Sequence, residues 1–214
     1  MLNRFARALF TRLFTPAARG LLALGISPDA VTLVGTLGVV VGALAFYPRG
    51  SFFWGTVVIT AFVFSDTVDG IMARLRGRSS TWGAFLDSTL DRFGDAAIFS
   101  GLVLYYAIHP GERWSTAFLA LALACLVLGQ IVSYARARAE GLGMTAAVGI
   151  AERADRLVTV LVTTGLVGLG LPPVVLLVVL ALLAVASLVT VVQRILVVRR
   201  QAFAALQEQG GAHA

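Results

Sequence analysis

The sequence predicts an all-α fold: a polytopic membrane protein with six transmembrane helices plus an N-terminal amphipathic helix lying in the interface. Three observations predict it. Of 214 residues, 58% are hydrophobic and 13% charged, against about 25% charged in an average soluble domain. The apolar residues fall in runs near the ~20 that a bilayer core requires. The cationic charge is all arginine, concentrated around the ends of those runs with only Arg92 well inside one: 17 basic residues against 11 acidic, a net charge of +6, and no lysine. This composition excludes a disordered, fibrous or disulfide-stapled chain. Arginines that flank apolar runs also make nucleic acid a poor partner. The single cysteine, Cys125, sits in an apolar run and reads as a packing residue.

Residues 1–25 alternate apolar and basic side chains at helical spacing. Leu2, Phe5, Leu9, Leu13 and Phe14 share a face, while Arg4, Arg7, Arg12 and Arg19 are spread through the segment. That spread argues for an interfacial helix and against a cleavable signal peptide. Ser27-Pro28-Asp29 breaks the pattern and offers a start for the next helix. Six apolar spans follow, at 30–47, 52–73, 83–108, 115–137, 154–171 and 173–196. They form one membrane domain over 26–200. The polar segment 201–214 is expected to be a flexible tail. With six spans both termini lie on one side, which collects fourteen arginines against two, Arg49 and Arg113, on the other. The bias makes the termini and the 74–82 and 138–153 loops cytoplasmic, in a multi-pass protein of the plasma membrane. Trp54, Tyr105, Tyr106 and Trp114 fall near outer span ends and read as interface anchors.

The unusual chemistry lies between residues 66 and 91. Asp66 and Asp69 are i, i+3 at the end of the second span; Asp87 and Asp91 are i, i+4 at the start of the third. A short connection makes the two helices antiparallel neighbours, so four carboxylates can converge near the cytoplasmic surface. Two like charges about 4 Å apart repel by roughly 4 kcal/mol at an effective dielectric of 20. Hard divalent cations remove that cost, and carboxylates without His or Cys select Mg²⁺, Mn²⁺ or Ca²⁺. Four carboxylates can hold two ions, which can clamp a phosphoryl group. Gly70, Ala73 and Gly83 lie on or beside the same face. They either pack helices together or admit a flat, phosphorylated ligand to the backbone.

The pattern D-x-x-D-G-x-x-A-R-x8-G-x-x-x-D-x-x-x-D resembles the signature of the CDP-alcohol phosphatidyltransferases. Asp66, Asp69, Gly70, Ala73, Arg74, Gly83, Asp87 and Asp91 fill every fixed position. On average residue usage such a match arises at about 10⁻⁹ or less per start position. The resemblance implies transfer of a phosphatidyl group from CDP-diacylglycerol to an alcohol with release of CMP. It implies two divalent cations, Mg²⁺ or Mn²⁺, on Asp66, Asp69, Asp87 and Asp91, with Asp91 also the general base. It implies that Asp69, Gly70, Ala73, Arg74 and Gly83 contact the CDP-lipid, with Pro28, Asp29 and Thr32 beside its base, and it suggests a homodimer. Pro28-Asp29 reads equally well as an ordinary helix start.

A second cluster bears on the acceptor: Ser133, Arg136, Arg138, Arg153, Arg156 and Arg194, all near cytoplasmic ends of the last three spans. They either set topology or build a phosphate pocket, since guanidinium binds phosphate bidentately. The second reading favours a phosphorylated acceptor. The stretches 27–32, 133–140 and 151–156 resemble the actinobacterial phosphatidylinositol phosphate synthases, which implies inositol 1-phosphate as acceptor. Glycerol-3-phosphate, giving phosphatidylglycerophosphate, needs the same positive charge. A divalent-cation transporter is a remoter alternative, because the acids cluster at one end of the spans and no polar path continues beyond them. Asp95 continues the Asp87–Asp91 stripe one turn deeper and has no assigned role.

Overall fold

The structure, a computed structural model, describes residues 2–76 and 80–211, with side chains except those of residues 2–12, 66, 205, 206 and 208–211. It is helical, with no strand among the described residues. Eight α-helices follow in order: α1 (Leu2–Ala23), α2 (Pro28–Phe46), α3 (Phe52–Val63), α4 (Ser65–Leu75), α5 (Thr81–Ile108), α6 (Ser115–Glu140), α7 (Arg153–Gly168) and α8 (Pro173–Gly211). They form two compact units, Met1–Tyr105 and Tyr106–Ala214.

Four stretches among the described residues are long and apolar enough to cross a bilayer: Pro28–Arg49, Phe52–Leu75, Ser115–Glu140 and Pro173–Ala204. The other two expected spans are helical at the expected positions but fall short for physical reasons. α5 carries Asp87, Asp91, Arg92 and Asp95. α7 has 16 residues, about 24 Å of helix against a core of about 30 Å.

In the first unit, Ser27 caps α2, accepting from the Ala30 N–H at 3.1 Å, with Pro28 in the first turn. The start signal in the sequence is therefore realised. α1 ends at Ala23, and in the turn that follows Gly25, with a φ of 78°, lets the Ile26 N–H return to the Leu21 carbonyl at 3.1 Å. α1 packs on α4: Ala18, Ile71 and Met72 are buried together, with Phe14, Leu21 and Val68 around them. Leu2, Phe5 and Leu9 of the expected apolar face lie outside the described side chains. Leu13 is exposed, and Phe14 stacks on Phe64 with ring centroids 5.9 Å apart.

α2 meets α3 and α4 through a glycine row. A β-carbon on Gly35 would stand 1.7 Å from Ser65 Oγ, and one on Gly38 2.3 Å from the Phe62 ring. Such close approach needs residues without side chains. The second expected span is not one helix: it breaks at Phe64, between α3 and α4. The Ser65 hydroxyl donates to the Phe62 carbonyl at 2.6 Å, and a side chain that bonds the ladder in this way bends a helix.

The second unit has its own core. Phe118, Ala122 and Cys125 of α6, Val160 and Leu161 of α7, and Leu176 and Leu180 of α8 are buried. Cys125 Sγ donates to the Leu180 carbonyl at 3.3 Å, which fits a packing role. Tyr106 departs from its expected role as an interface anchor: it is buried and stacks on Phe118 at 4.1 Å. In the first unit Tyr105 packs edge-on against Phe52, whereas Trp54 is exposed. α8 has 39 residues, about 58 Å of helix, and runs through most of the segment expected as a tail. Ala202, Ala204 and Ala205 favour helix there.

Candidate functional site

The first unit holds a cavity of about 270 Å³. The start of α2 contributes Pro28, Asp29 and Thr32; α4 contributes Asp69, Gly70 and Ala73; Ser80 and the first turns of α5 contribute Gly83, Ala84 and Asp87. Seven of the eight residues expected to contact a CDP-lipid therefore line one space. The eighth, Arg74, is exposed and donates from Nε to the Gly70 carbonyl at 2.9 Å.

Helical spacing brings these groups to one face. Asp69 and Ala73 are i, i+4 on α4, with Gly70 alongside. A β-carbon on Gly70 would meet nothing within 4 Å, so the glycine opens the cavity wall and is not needed for packing. Gly83 is tighter: its β-carbon would stand 3.1 Å from Ser80 Oγ, which accepts the Gly83 N–H at 2.9 Å.

Asp69 is buried. Thr32 Oγ1 donates to Asp69 Oδ2 at 2.5 Å and stands 3.1 Å from the Pro28 carbonyl. A hydroxyl has one proton, and the shorter bond places it on the carboxylate. That bond ties α2 to α4 at the floor of the cavity. Asp29 accepts at Oδ2 from Trp82 Nε1 at 3.1 Å. Asp91, one turn beyond Asp87 on α5, pairs with Arg92 at 3.6 Å. Asp95, the next turn again, is buried.

Asp66 lies in the first turn of α4, and its side chain is outside the described set. Among the described residues no three His, Cys, Asp or Glu side chains gather closely enough to hold a metal ion. The donors that line the cavity are carboxylates beside small residues, a set that suits a hard divalent cation and a phosphorylated ligand.

The second unit distributes the expected acceptor residues differently. Arg156 and Arg194 are buried, 2% and 5% exposed. Arg156 Nη1 donates to the Ala151 carbonyl at 3.0 Å, in space left by Gly129, whose β-carbon would lie 3.5 Å from the guanidinium. Arg194 Nε donates to the Val148 carbonyl at 2.9 Å and its Nη1 to the Val132 carbonyl. Arg136 pairs with Glu140 at 2.8 Å, both half-exposed. Arg138 is exposed and Arg153 half-buried. Ser133 donates to its own helix at the Gly129 carbonyl, 3.1 Å away.

Sequence reasoning missed four contributors. Ser80 stands three residues before Gly83, a cap spacing that was legible in principle. Trp82 reaches Asp29 across 53 residues. Thr190 and Gln201 bond main-chain groups of the loop after α6, and no side-chain pattern encodes that pairing.

Residues 25–152 match the CDP-alcohol phosphatidyltransferase family model. The chain is 56% identical over 211 residues to a phosphatidylinositol phosphate synthase of Streptomyces avermitilis, covering 96% of this chain and 85% of that one. It is 49% identical over 207 residues to the protein of the same name from Cutibacterium acnes, covering 94% and 98%. Among solved structures it resembles the phosphatidylinositol phosphate synthase of Mycobacterium tuberculosis with CDP-DAG bound. The TM-score there is 0.82 at 44% identity, over 87% of this chain and 94% of that one. The same mycobacterial protein in complex with manganese and citrate also gives a TM-score of 0.82 at 44% identity, over 86% and 88%.

Proposed function

The chain belongs to the CDP-alcohol phosphatidyltransferases, and from that premise we propose that it transfers a phosphatidyl group from CDP-diacylglycerol to inositol 1-phosphate. The products are phosphatidylinositol phosphate and CMP. One observation carries the reading: Asp69, Gly70, Ala73, Gly83 and Asp87 of the family pattern line a single cavity together with Pro28, Asp29 and Thr32. The acceptor is chosen on the relatives named phosphatidylinositol phosphate synthase and on the arginines of the second unit.

In this reading Pro28, Asp29 and Thr32 lie beside the base, and Asp69, Gly70, Ala73, Arg74 and Gly83 contact the CMP portion of the CDP-lipid. Asp66, Asp69, Asp87 and Asp91 hold two divalent cations, Mg²⁺ or Mn²⁺. Such cations neutralise a pyrophosphate and stabilise a departing CMP. Asp91 takes the acceptor hydroxyl proton as the new oxygen–phosphorus bond forms and the bond to CMP breaks. Arg138, Arg156 and Arg194 hold the acceptor phosphate, assisted by Ser133, Arg136 and Arg153. The chain crosses the plasma membrane six times as a homodimer. α1 lies in the interface, and both termini and the site are cytoplasmic.

The test is CMP release by the purified protein with CDP-diacylglycerol, Mg²⁺ and one of three acceptors. Turnover with inositol 1-phosphate, and not with glycerol-3-phosphate or free inositol, is the expected result. Turnover with glycerol-3-phosphate alone would overturn the acceptor and keep the reaction. Turnover with free inositol would overturn the phosphate role of the arginines.

A further inference from the structure

The connection between α6 and α7 does not hang free. Three side chains on one side of α8 hold its main chain at three points in reverse order. Thr190 Oγ1 accepts the Ala151 N–H at 3.1 Å. Arg194 Nε donates to the Val148 carbonyl at 2.9 Å. Gln201 binds both main-chain groups of Thr145: its Oε1 accepts the N–H at 3.0 Å, and its Nε2 donates to the carbonyl at 2.6 Å. The loop thus runs antiparallel along about 16 Å of α8. Gly149 fits the same track: its φ is +146°, and a β-carbon there would stand 2.3 Å from Thr190.

We propose that Gln201 is a positioning residue for phosphate-acceptor binding: through Thr145 it sets the course of the loop that leads into Arg153 and Arg156 in the first turn of α7. This rests on the phosphatidyltransferase reading above. Gln201 is outside the residues matched by the family model and belongs to the segment whose composition reads as a tail. Its amide nevertheless copies the pairing of a neighbouring strand, one donor and one acceptor on a single residue. Arg194 and Thr190 hold the loop nearer to α7. Gln201 holds the end nearer to α6, directly after the turn in which the Gly141, Leu142, Gly143 and Met144 N–H groups bond the last carbonyls of α6. Arg156 bonds the Ala151 carbonyl of the same loop, so a shift at Thr145 is passed along a short tether to a guanidinium that the reaction uses.

The experiment compares wild type, Gln201→Ala and Gln201→Glu in steady-state CMP release, varying each substrate in turn. Glutamate keeps an acceptor for the Thr145 N–H but sets a second oxygen against the Thr145 carbonyl. Gln201→Glu, which loses one bond to Thr145, is expected to raise KM for inositol 1-phosphate about fivefold, the factor for one lost hydrogen bond, and Gln201→Ala, which loses both, by at least as much. KM for CDP-diacylglycerol and kcat should stay within twofold. Amide exchange at Thr145 should quicken in both, and most in Gln201→Ala, which removes the acceptor of that N–H. An unchanged acceptor KM with quickened exchange overturns the proposal. So does an equal change in the constants for both substrates, which would mark a merely structural role. Absence of wild-type CMP release with every acceptor would sink the phosphatidyltransferase reading instead, and this inference with it.

Discussion

The two units handle charge in opposite ways. In the first, Asp29, Asp69 and Asp87 line a cavity beside small residues, and Thr32 and Trp82 donate to Asp69 and Asp29 without an arginine among the described residues lining the space. In the second, the buried guanidiniums of Arg156 and Arg194 are committed to main-chain carbonyls. The difference teaches that buried charge has two uses. A carboxylate site kept open is a place for a ligand to complete. An arginine bonded to a loop is a tether that keeps further donors available to a ligand, because its planar fork has five donors. Mutations in the two regions should therefore fail differently.

The largest effect is expected at Asp69. Asp69→Asn keeps shape and the Thr32 contact but removes the carboxylate proposed to hold a cation. CMP release should fall at least about 10²–10³-fold, with thermal stability in detergent unchanged within a few degrees. Chelation by EDTA should silence the wild type to the same degree, and Mg²⁺ or Mn²⁺ should restore it. Retained activity in both experiments would remove the metal from the reading of the first unit.

An intermediate effect is expected at Arg194, and it should be one of folding as well as binding. Arg194→Met leaves the Val148 and Val132 carbonyls without their donor, a loss of about 2–4 kcal/mol. The exposed Arg136–Glu140 pair offers the control: Arg136→Met should cost less than about 0.5 kcal/mol. Denaturant titration of both variants measures the contrast. Equal stability would erase the distinction between tether and surface charge.

The smallest effects separate two glycines of the first unit. Gly35→Ala drives a β-carbon onto Ser65 and should destabilise by about 1–3 kcal/mol. Gly70→Ala meets open space, so stability should hold while KM for CDP-diacylglycerol rises about fivefold, equivalent to about 1 kcal/mol. A destabilised Gly70→Ala protein with unchanged KM would show that Gly70 packs helices and does not admit ligand.

The sequence exposes the first unit far better than the second, for a physical reason. Cation and nucleotide chemistry is done by side chains at fixed helical offsets, so Asp66 to Asp91 and their small neighbours are visible as a spacing. The start of α2 is visible too, since Ser27-Pro28 is a local cap. What is not visible is set by tertiary partners. The break at Phe64 comes from the Ser65 hydroxyl and the glycine row opposite it. Tyr106 looks like an interface anchor by position, yet it is buried because Phe118 supplies a ring to stack on. Gln201 looks like solvent-facing tail because its partner is backbone, which any residue carries. The helical positions of all six apolar stretches are legible. The ability to span is plain for four, because charge on α5 and the short length of α7 weaken the other two.

The loop fastened to α8 also fixes what can vary between versions of this protein. Thr190, Arg194 and Gln201 read peptide groups, so most side chains of 145–151 are free to be exchanged without disturbing the attachment. Removing one residue is another matter. A single deletion between Thr145 and Ala151 would carry every peptide group past it out of alignment with the anchors that follow, while the one at Thr145 stays in place. In this stretch length is under tighter control than letters, and natural variation should accumulate as substitutions and almost never as gaps.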